Sequence, residues 1–208
     1  MAMKVSLTDA GKRFNRDWIF RHLHYTFVSG NSYAIIGPNG SGKSTLLQVL
    51  SGAMQLSEGN GLWALNNGQL AAEEIFKQVS VCAPYLEVVE EMTLSEFLEF
   101  HRHFKAFLPS LTIQNIVAMI GLEEAADKQI RYYSSGMKQR VKLAQAICSD
   151  TPFLLLDEPC TNLDTTGINL YHQLLDKYCK SRLVIVSSND ETEYSFCKER
   201  INITHYKK

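Results

Sequence analysis

The stretch Gly37-Pro38-Asn39-Gly40-Ser41-Gly42-Lys43-Ser44-Thr45 contains the spacing G-x-x-x-x-G-K-[ST] in full. It follows the apolar run Tyr33–Ile36 and precedes the amphipathic stretch Thr45–Leu50, the strand, loop and helix order that phosphate binding requires. In such a loop successive backbone N–H groups point inward and cradle phosphate oxygens, aided by the positive end of the helix. Gly40 and Gly42 are expected to let the backbone approach without a Cβ in the way. Lys43 is placed to reach the β- and γ-phosphates, and the Ser44 hydroxyl to ligate Mg²⁺. A second constellation lies at Phe153-Leu154-Leu155-Leu156-Asp157-Glu158, an apolar run ending in adjacent carboxylates. Asp157 suits Mg²⁺ at a strand end, and Glu158, on the other side of the strand period, could polarise an attacking water. Together these residues imply a site for a nucleoside triphosphate.

Positioning such groups takes a sheet. Tyr33–Ile36, Val79–Cys82, Phe153–Leu156 and Leu183–Val186 are short, apolar and bounded by polar, Gly or Pro residues, as strands of a largely parallel sheet are. Helical patterns lie between them, so the fold class is α/β, a phosphate-loop NTPase core with a mixed, largely parallel sheet. Looser alternation from Lys4 to Phe27 predicts a small N-terminal antiparallel part. From Thr93 to Ala146 the pattern is helical, with a capping box at Thr93-Leu94-Ser95-Glu96. This segment, 93–146, reads as a helical subdomain inserted in a single α/β domain spanning 1–208, whose core is 1–92 and 147–208.

The 208 residues suffice for one such domain, and a net charge of −1 provides no global field for nucleic acid. Five scattered cysteines without C-x-x-C spacing read as reduced thiols of a cytosolic protein. No apolar run is long enough to span a bilayer, so a soluble chain is expected.

Tyr133-Ser134-Ser135-Gly136-Met137-Lys138-Gln139-Arg140 leads into an apolar helical pattern. It resembles the signature motif of ATP-binding cassette (ABC) ATPases, in a form seen in many exporter-type members. Met137 lies 20 residues before Asp157 (157 − 137), similar to the family's spacing. Thr161-Asn162-Leu163-Asp164 looks like the family's D-loop, and Phe14, 29 residues before Lys43 (43 − 14), matches the aromatic that stacks on adenine, with Trp18 as a second candidate. The resemblance covers essentially the whole chain. It implies ATP and Mg²⁺ as cofactors, and two cassettes sandwiching two ATP molecules head to tail. Ser134, Ser135 and Gly136 of one copy would then meet the γ-phosphate bound at Lys43 of the other.

The chain departs from the family's pattern twice. After Val79–Cys82 the family carries Pro-Gln, whereas this chain has Pro84-Tyr85, and a phenol is a poor Mg²⁺ ligand. The family's switch histidine falls at Asn189, which can donate a hydrogen bond to the γ-phosphate but carries no charge. Either neighbouring groups compensate, the reading that intact Lys43, Asp157 and Glu158 favour, or the site turns over slowly and acts as an ATP-gated clamp.

The resemblance implies the ATP-hydrolysing subunit of a membrane transporter, peripheral on the cytoplasmic face. Its expected partners are a separate integral-membrane permease and a second cassette, identical or paired. The permease would dock on the helical insert, Thr93–Ala146, together with the loop around Tyr85–Met92, where Leu86, Val88, Val89 and Met92 would provide apolar contacts. A soluble switch acting on nucleic acid or ribosomes is the alternative, but the basic extensions or tandem cassette such relatives carry are missing here. A regulatory subunit paired with an active partner is a third reading.

Overall fold

The structure, a computed structural model, describes residues 1–207. The chain divides into two units, the first made of Met1–Val81, Pro152–Glu158 and the stretch from Lys180 onward, the second of Cys82–Thr151 and Pro159–Cys179.

The first unit holds two sheets. Strands β1 (Met3–Phe14), β2 (Asp17–Val28), β4 (Glu58–Leu65) and β5 (Gly68–Gln69) form an antiparallel sheet in the order β2-β1-β4-β5. The β1–β2 hairpin was expected from the alternation of Lys4–Phe27, and β4 was not. Asn15 closes the hairpin at φ 53°, a left-handed conformation that Asn tolerates. The second sheet runs β6 (Val79–Cys82), β7 (Phe153–Asp157), β8 (Leu183–Ser187), β3 (Ser32–Ile36) and β9 (Glu199–Asn202) in that order across the sheet. The pairs β7–β8, β3–β8 and β3–β9 are parallel. Every residue of β7 and β8 is buried, as strands covered on both faces are. Each such Leu or Ile contributes about 1.5–3 kcal/mol by leaving water. After β9 the chain tightens into a 3₁₀ turn over Ile203–Tyr206.

Helix α1 (Lys43–Leu50) follows β3 and buries Leu46, Leu47, Val49 and Leu50 in the core that these sheets share. The short helix α2 (Ile75–Gln78) leads directly into β6.

The second unit is helical. It contains α3 (Leu94–Arg102), α4 (Ile113–Met119), α5 (Ser135–Cys148) and α6 (Thr165–Tyr178), and includes the stretch from Thr93 to Ala146. Its own core joins Leu94, Leu98, Ile116, Ile130, Val141 and Ala144. Local chemistry starts each helix. The capping box at Thr93 and Glu96 forms in both directions, and Thr112 with Asn115 repeats it at α4. Ser134 caps α5, and Asp164 caps α6 by accepting from Gly167 N at 2.8 Å. All five cysteines are buried and outside any disulfide. No helix among the described residues is long and apolar enough to cross a membrane.

Candidate functional site: a phosphate loop and its surroundings

α1 is built differently from α3–α6. It begins at Gly42 with no side-chain cap and, like α4, α5 and α6, has no acidic residue in its first turn. The N–H groups that a cap would occupy are left to face an anion, and no carboxylate opposes one. In front of it, Asn39, Gly40, Gly42, Lys43, Ser44, Thr45, Ile19 and Glu158 line an open cavity of about 230 Å³.

The glycines do different jobs. Gly40 sits at φ 74°, where a Cβ would meet nothing within 4 Å, so its backbone conformation alone calls for glycine. Gly42, at φ 105°, has a second reason, because a Cβ there would lie 2.2 Å from Ile19 Cγ2. Toward the protein itself, only Gly42 of these two is closely approached. A Cβ on Gly37 would press on Ser41 Oγ at 2.8 Å. Pro38 presents its carbonyl inward and accepts from Ser41 N at 3.1 Å.

Lys43 is buried, and its Nζ donates to Gly37 O at 2.8 Å and Pro38 O at 3.4 Å, so the ammonium is held inside the loop by carbonyls. Asp157 ends β7 and is 2% exposed, with Oδ1 lacking any hydrogen-bond partner among the described residues. Ser187, its register partner on β8, likewise has a buried Oγ without one. Buried polar atoms are nearly always satisfied by protein, water or an ion. A buried carboxylate oxygen with its lone pairs uncommitted is the donor a hard cation selects, so Asp157 and the Ser44 hydroxyl fit Mg²⁺.

Glu158 lines the same cavity, but the strand period does not orient it. β7 stops at Asp157, and Glu158 takes φ 44°, a conformation costing a non-glycine residue about 1–2 kcal/mol. Its N–H donates to Ser187 O at 2.9 Å, which anchors the turn. The strain aims the carboxylate into the cavity beside Lys43 and Ser44. Asn189, one residue beyond Ser188, donates from Nδ2 to Asn39 Oδ1 at 2.7 Å. Phe14 ends β1 as a residue 46% exposed, with Lys12 Nζ 5.3 Å from its ring centroid. Trp18 is already occupied, with the Arg21 and Arg13 guanidinium groups 4.5 and 5.5 Å from its ring.

In the second unit, Ser134 Oγ accepts from Met137 N at 3.2 Å and keeps its own hydrogen for donation. Ser135 opens α5, and a Cβ on Gly136 would come within 2.9 Å of Asn162 O, which brings the motif against the Thr161–Asp164 turn. Gln139 Nε2 donates to Pro159 O at 2.7 Å. The larger cleft of this unit, about 990 Å³ and lined by Phe100, Phe107 and Val117, contains none of the motif residues.

The family model described as ABC transporter matches residues 20–161. The chain belongs to the ABC transporter family. It is 31% identical over 211 residues to YhcH of Bacillus subtilis, an uncharacterized ABC transporter ATP-binding protein, covering 98% of this chain and 67% of the relative. It is 31% identical over 153 residues to the cytochrome c biogenesis ATP-binding export protein CcmA of Xylella fastidiosa, covering 74% of this chain and 68% of that one. In fold it matches the dimeric, post-hydrolysis ATP-binding cassette MJ0796 bound to ADP and Pi, with TM-score 0.81, 23% identity, and coverage of 96% of this chain and 94% of that one. The chain is therefore an ATP-binding cassette of the transporter class and an ABC-type ATPase.

In this cassette the loop after β6 is tied to α5. Lys142 Nζ donates to Pro84 O at 3.3 Å, and Lys138 pairs with Glu90 at 2.5 Å. Of the apolar residues expected to dock a partner, Val88 is buried and Met92 packs on the helical core. Leu86 and Val89 are exposed, and Tyr85 joins them at the surface. Ile19, beside Gly42, carries no signal in the sequence. It is an ordinary apolar residue of β2, and only the fold brings it to the loop.

Proposed function

We propose that this cassette hydrolyses ATP to drive a separate integral-membrane permease, through closure of two cassettes around bound nucleotide. The observation that carries the reading is the Glu158 carboxylate held by a strained turn in the cavity that Lys43 and Ser44 line. On this reading the uncapped α1 terminus and the loop N–H groups bind the phosphates. Lys43 exchanges its bonds to Gly37 O and Pro38 O for the β- and γ-phosphates. Ser44 and Asp157 would hold Mg²⁺, which when bound neutralises charge on the phosphates. Glu158 accepts a proton from the attacking water, Asn189 donates to the γ-phosphate, and Phe14 stacks on adenine. Ser134, Ser135 and Gly136 of one copy complete the site of a second copy, identical or paired, with the α5 N-terminus facing the γ-phosphate.

Residues 1–208 act here as one cassette, with 93–146 as its helical insert. The exposed trio Tyr85, Leu86 and Val89 is an apolar surface for a coupling element of the permease, which would place the cassette on the cytoplasmic membrane face. The likeness to CcmA, named as an export protein, supports export. Tyr85 and Asn189 favour a second reading, a slow ATP-gated clamp, because neither offers what an amide ligand and a chargeable switch would.

Mg²⁺-dependent ATP turnover of the purified chain beside Glu158→Gln, with the oligomeric state recorded in ATP, tests both. Turnover lost in the variant, with ATP-trapped dimers, is expected. Binding and dimerisation with no turnover in the wild type would leave only the clamp, and absence of nucleotide-dependent dimers would overturn closure.

A further inference from the structure

Asn189 replaces a chargeable group with a carboxamide, and a carboxamide has two faces. Its NH₂ attracts a phosphate and its oxygen repels one, so an untethered amide at this position would be as apt to oppose the ligand as to bind it. The structure supplies a tether. Asn189 Nδ2 donates to Asn39 Oδ1 at 2.7 Å, joining residues 150 positions apart in sequence.

The Asn189 end of this bond is anchored to the sheet. Ser188 N donates to Ile35 O at 3.2 Å, which fixes the segment after β8 against the strand that feeds the phosphate loop. Asp190 cannot compete for the position. Its Oδ1 accepts from Thr192 N at 2.9 Å, capping the turn that follows, and its N–H is bound to Ser188 Oγ. Asn39 itself lines the cavity with Gly40, Lys43 and Glu158.

We propose that Asn39 is the positioning residue of this switch: its carboxamide oxygen holds the nitrogen face of Asn189 at the cavity rim, leaving the second Nδ2 hydrogen to bind a terminal phosphate. This rests on the reading of Asn189 as the γ-phosphate donor, and it assigns to the loop's Asn39 a role that backbone cradling does not include. ATP and ADP are then distinguished by an uncharged amide pair whose donor is set before nucleotide arrives.

The test is a double-mutant cycle on the full chain, Asn39→Ala, Asn189→Ala and both, titrated calorimetrically with ATP and with ADP and assayed for turnover. Both side chains are exposed, so the variants keep the fold. Each single change is expected to weaken ATP binding roughly three- to tenfold, the range for one hydrogen bond, and to leave ADP binding within about twofold. The double variant is expected to be no weaker than the weaker single one, because both changes remove one interaction. Losses that multiply in the double variant, or equal losses for ADP and ATP, would overturn the proposal. If the wild type does not turn over ATP while the ATP-specific coupling persists, the hydrolase reading fails and the clasp stands. Turnover without coupling means the opposite: the hydrolase reading stands and the clasp fails.

Discussion

Alanine at Gly40 and at Gly42 separates two reasons for glycine that the loop's spacing makes look alike. Gly40→Ala places a Cβ in open space at φ 74°. The left-handed conformation costs about 1–2 kcal/mol, and the stiffer unfolded chain returns about 0.4–1, for a net loss of roughly 0.5–1 kcal/mol. Gly42→Ala carries the same backbone cost at φ 105° and adds an overlap, its Cβ 2.2 Å from Ile19 Cγ2. Forcing a methyl group into packed surroundings adds about 1–3 kcal/mol, so the total is roughly 2–4 kcal/mol. Ile19→Ala removes the atom in conflict. Urea unfolding of both glycine variants, Ile19→Ala, and Ile19→Ala with Gly42→Ala then measures a coupling of about 1–3 kcal/mol in favour of the double variant. Equal costs at Gly40 and Gly42 would refute the steric argument, as would strict additivity of the Ile19 and Gly42 changes. Either result would mean that the loop glycines answer to backbone conformation alone.

Glu158→Gly is expected to raise stability by about 1 kcal/mol in thermal or urea unfolding, since glycine accepts φ 44° freely, while abolishing turnover. Glu158→Gln keeps the strain and shows no such gain. Burial pushes the His101 imidazole down to about 4, with Nε2 against Ser149 Oγ at 2.9 Å. Its folded-state value lies below its unfolded one, so the unfolded chain takes up the proton first, and stability is lost as pH falls from about 6.5 towards 4. The loss is roughly 2 kcal/mol, less than full linkage because the ring keeps some contact with water; urea midpoints at pH 7.5 and 4.5 in wild type and His101→Gln check it. Gly136→Ala drives a Cβ to 2.9 Å from Asn162 O, and gel filtration is expected to show loss of ATP-dependent dimers while the variant binds ADP as the wild type does.

What could be read from the chain was local. The phosphate loop is contiguous, its chemistry is carried by backbone N–H groups, and its spacing is its geometry, so Gly37–Thr45 was legible without a fold. The same holds for Asp157 at the end of an apolar run and for the cap at Thr93, whose partner Glu96 lies three positions on. Strands β3, β6, β7 and β8 showed in their apolar runs. β4 did not, because Glu58-Gly59-Asn60-Gly61 lacks the β-branched alternation that marks a strand, and pairing with β1 makes it one.

The tertiary structure decided the rest. The strand order β6-β7-β8-β3-β9 brings Asp157 beside Ser187 and sets Asn189 near the loop, and no periodicity encodes such neighbours. Ile19 against Gly42, Asn39 against Asn189 and the left-handed turn at Glu158 are likewise invisible in residue types. Local propensity is a property of neighbours along the chain, whereas these contacts are imposed by a core that closes between segments distant in it.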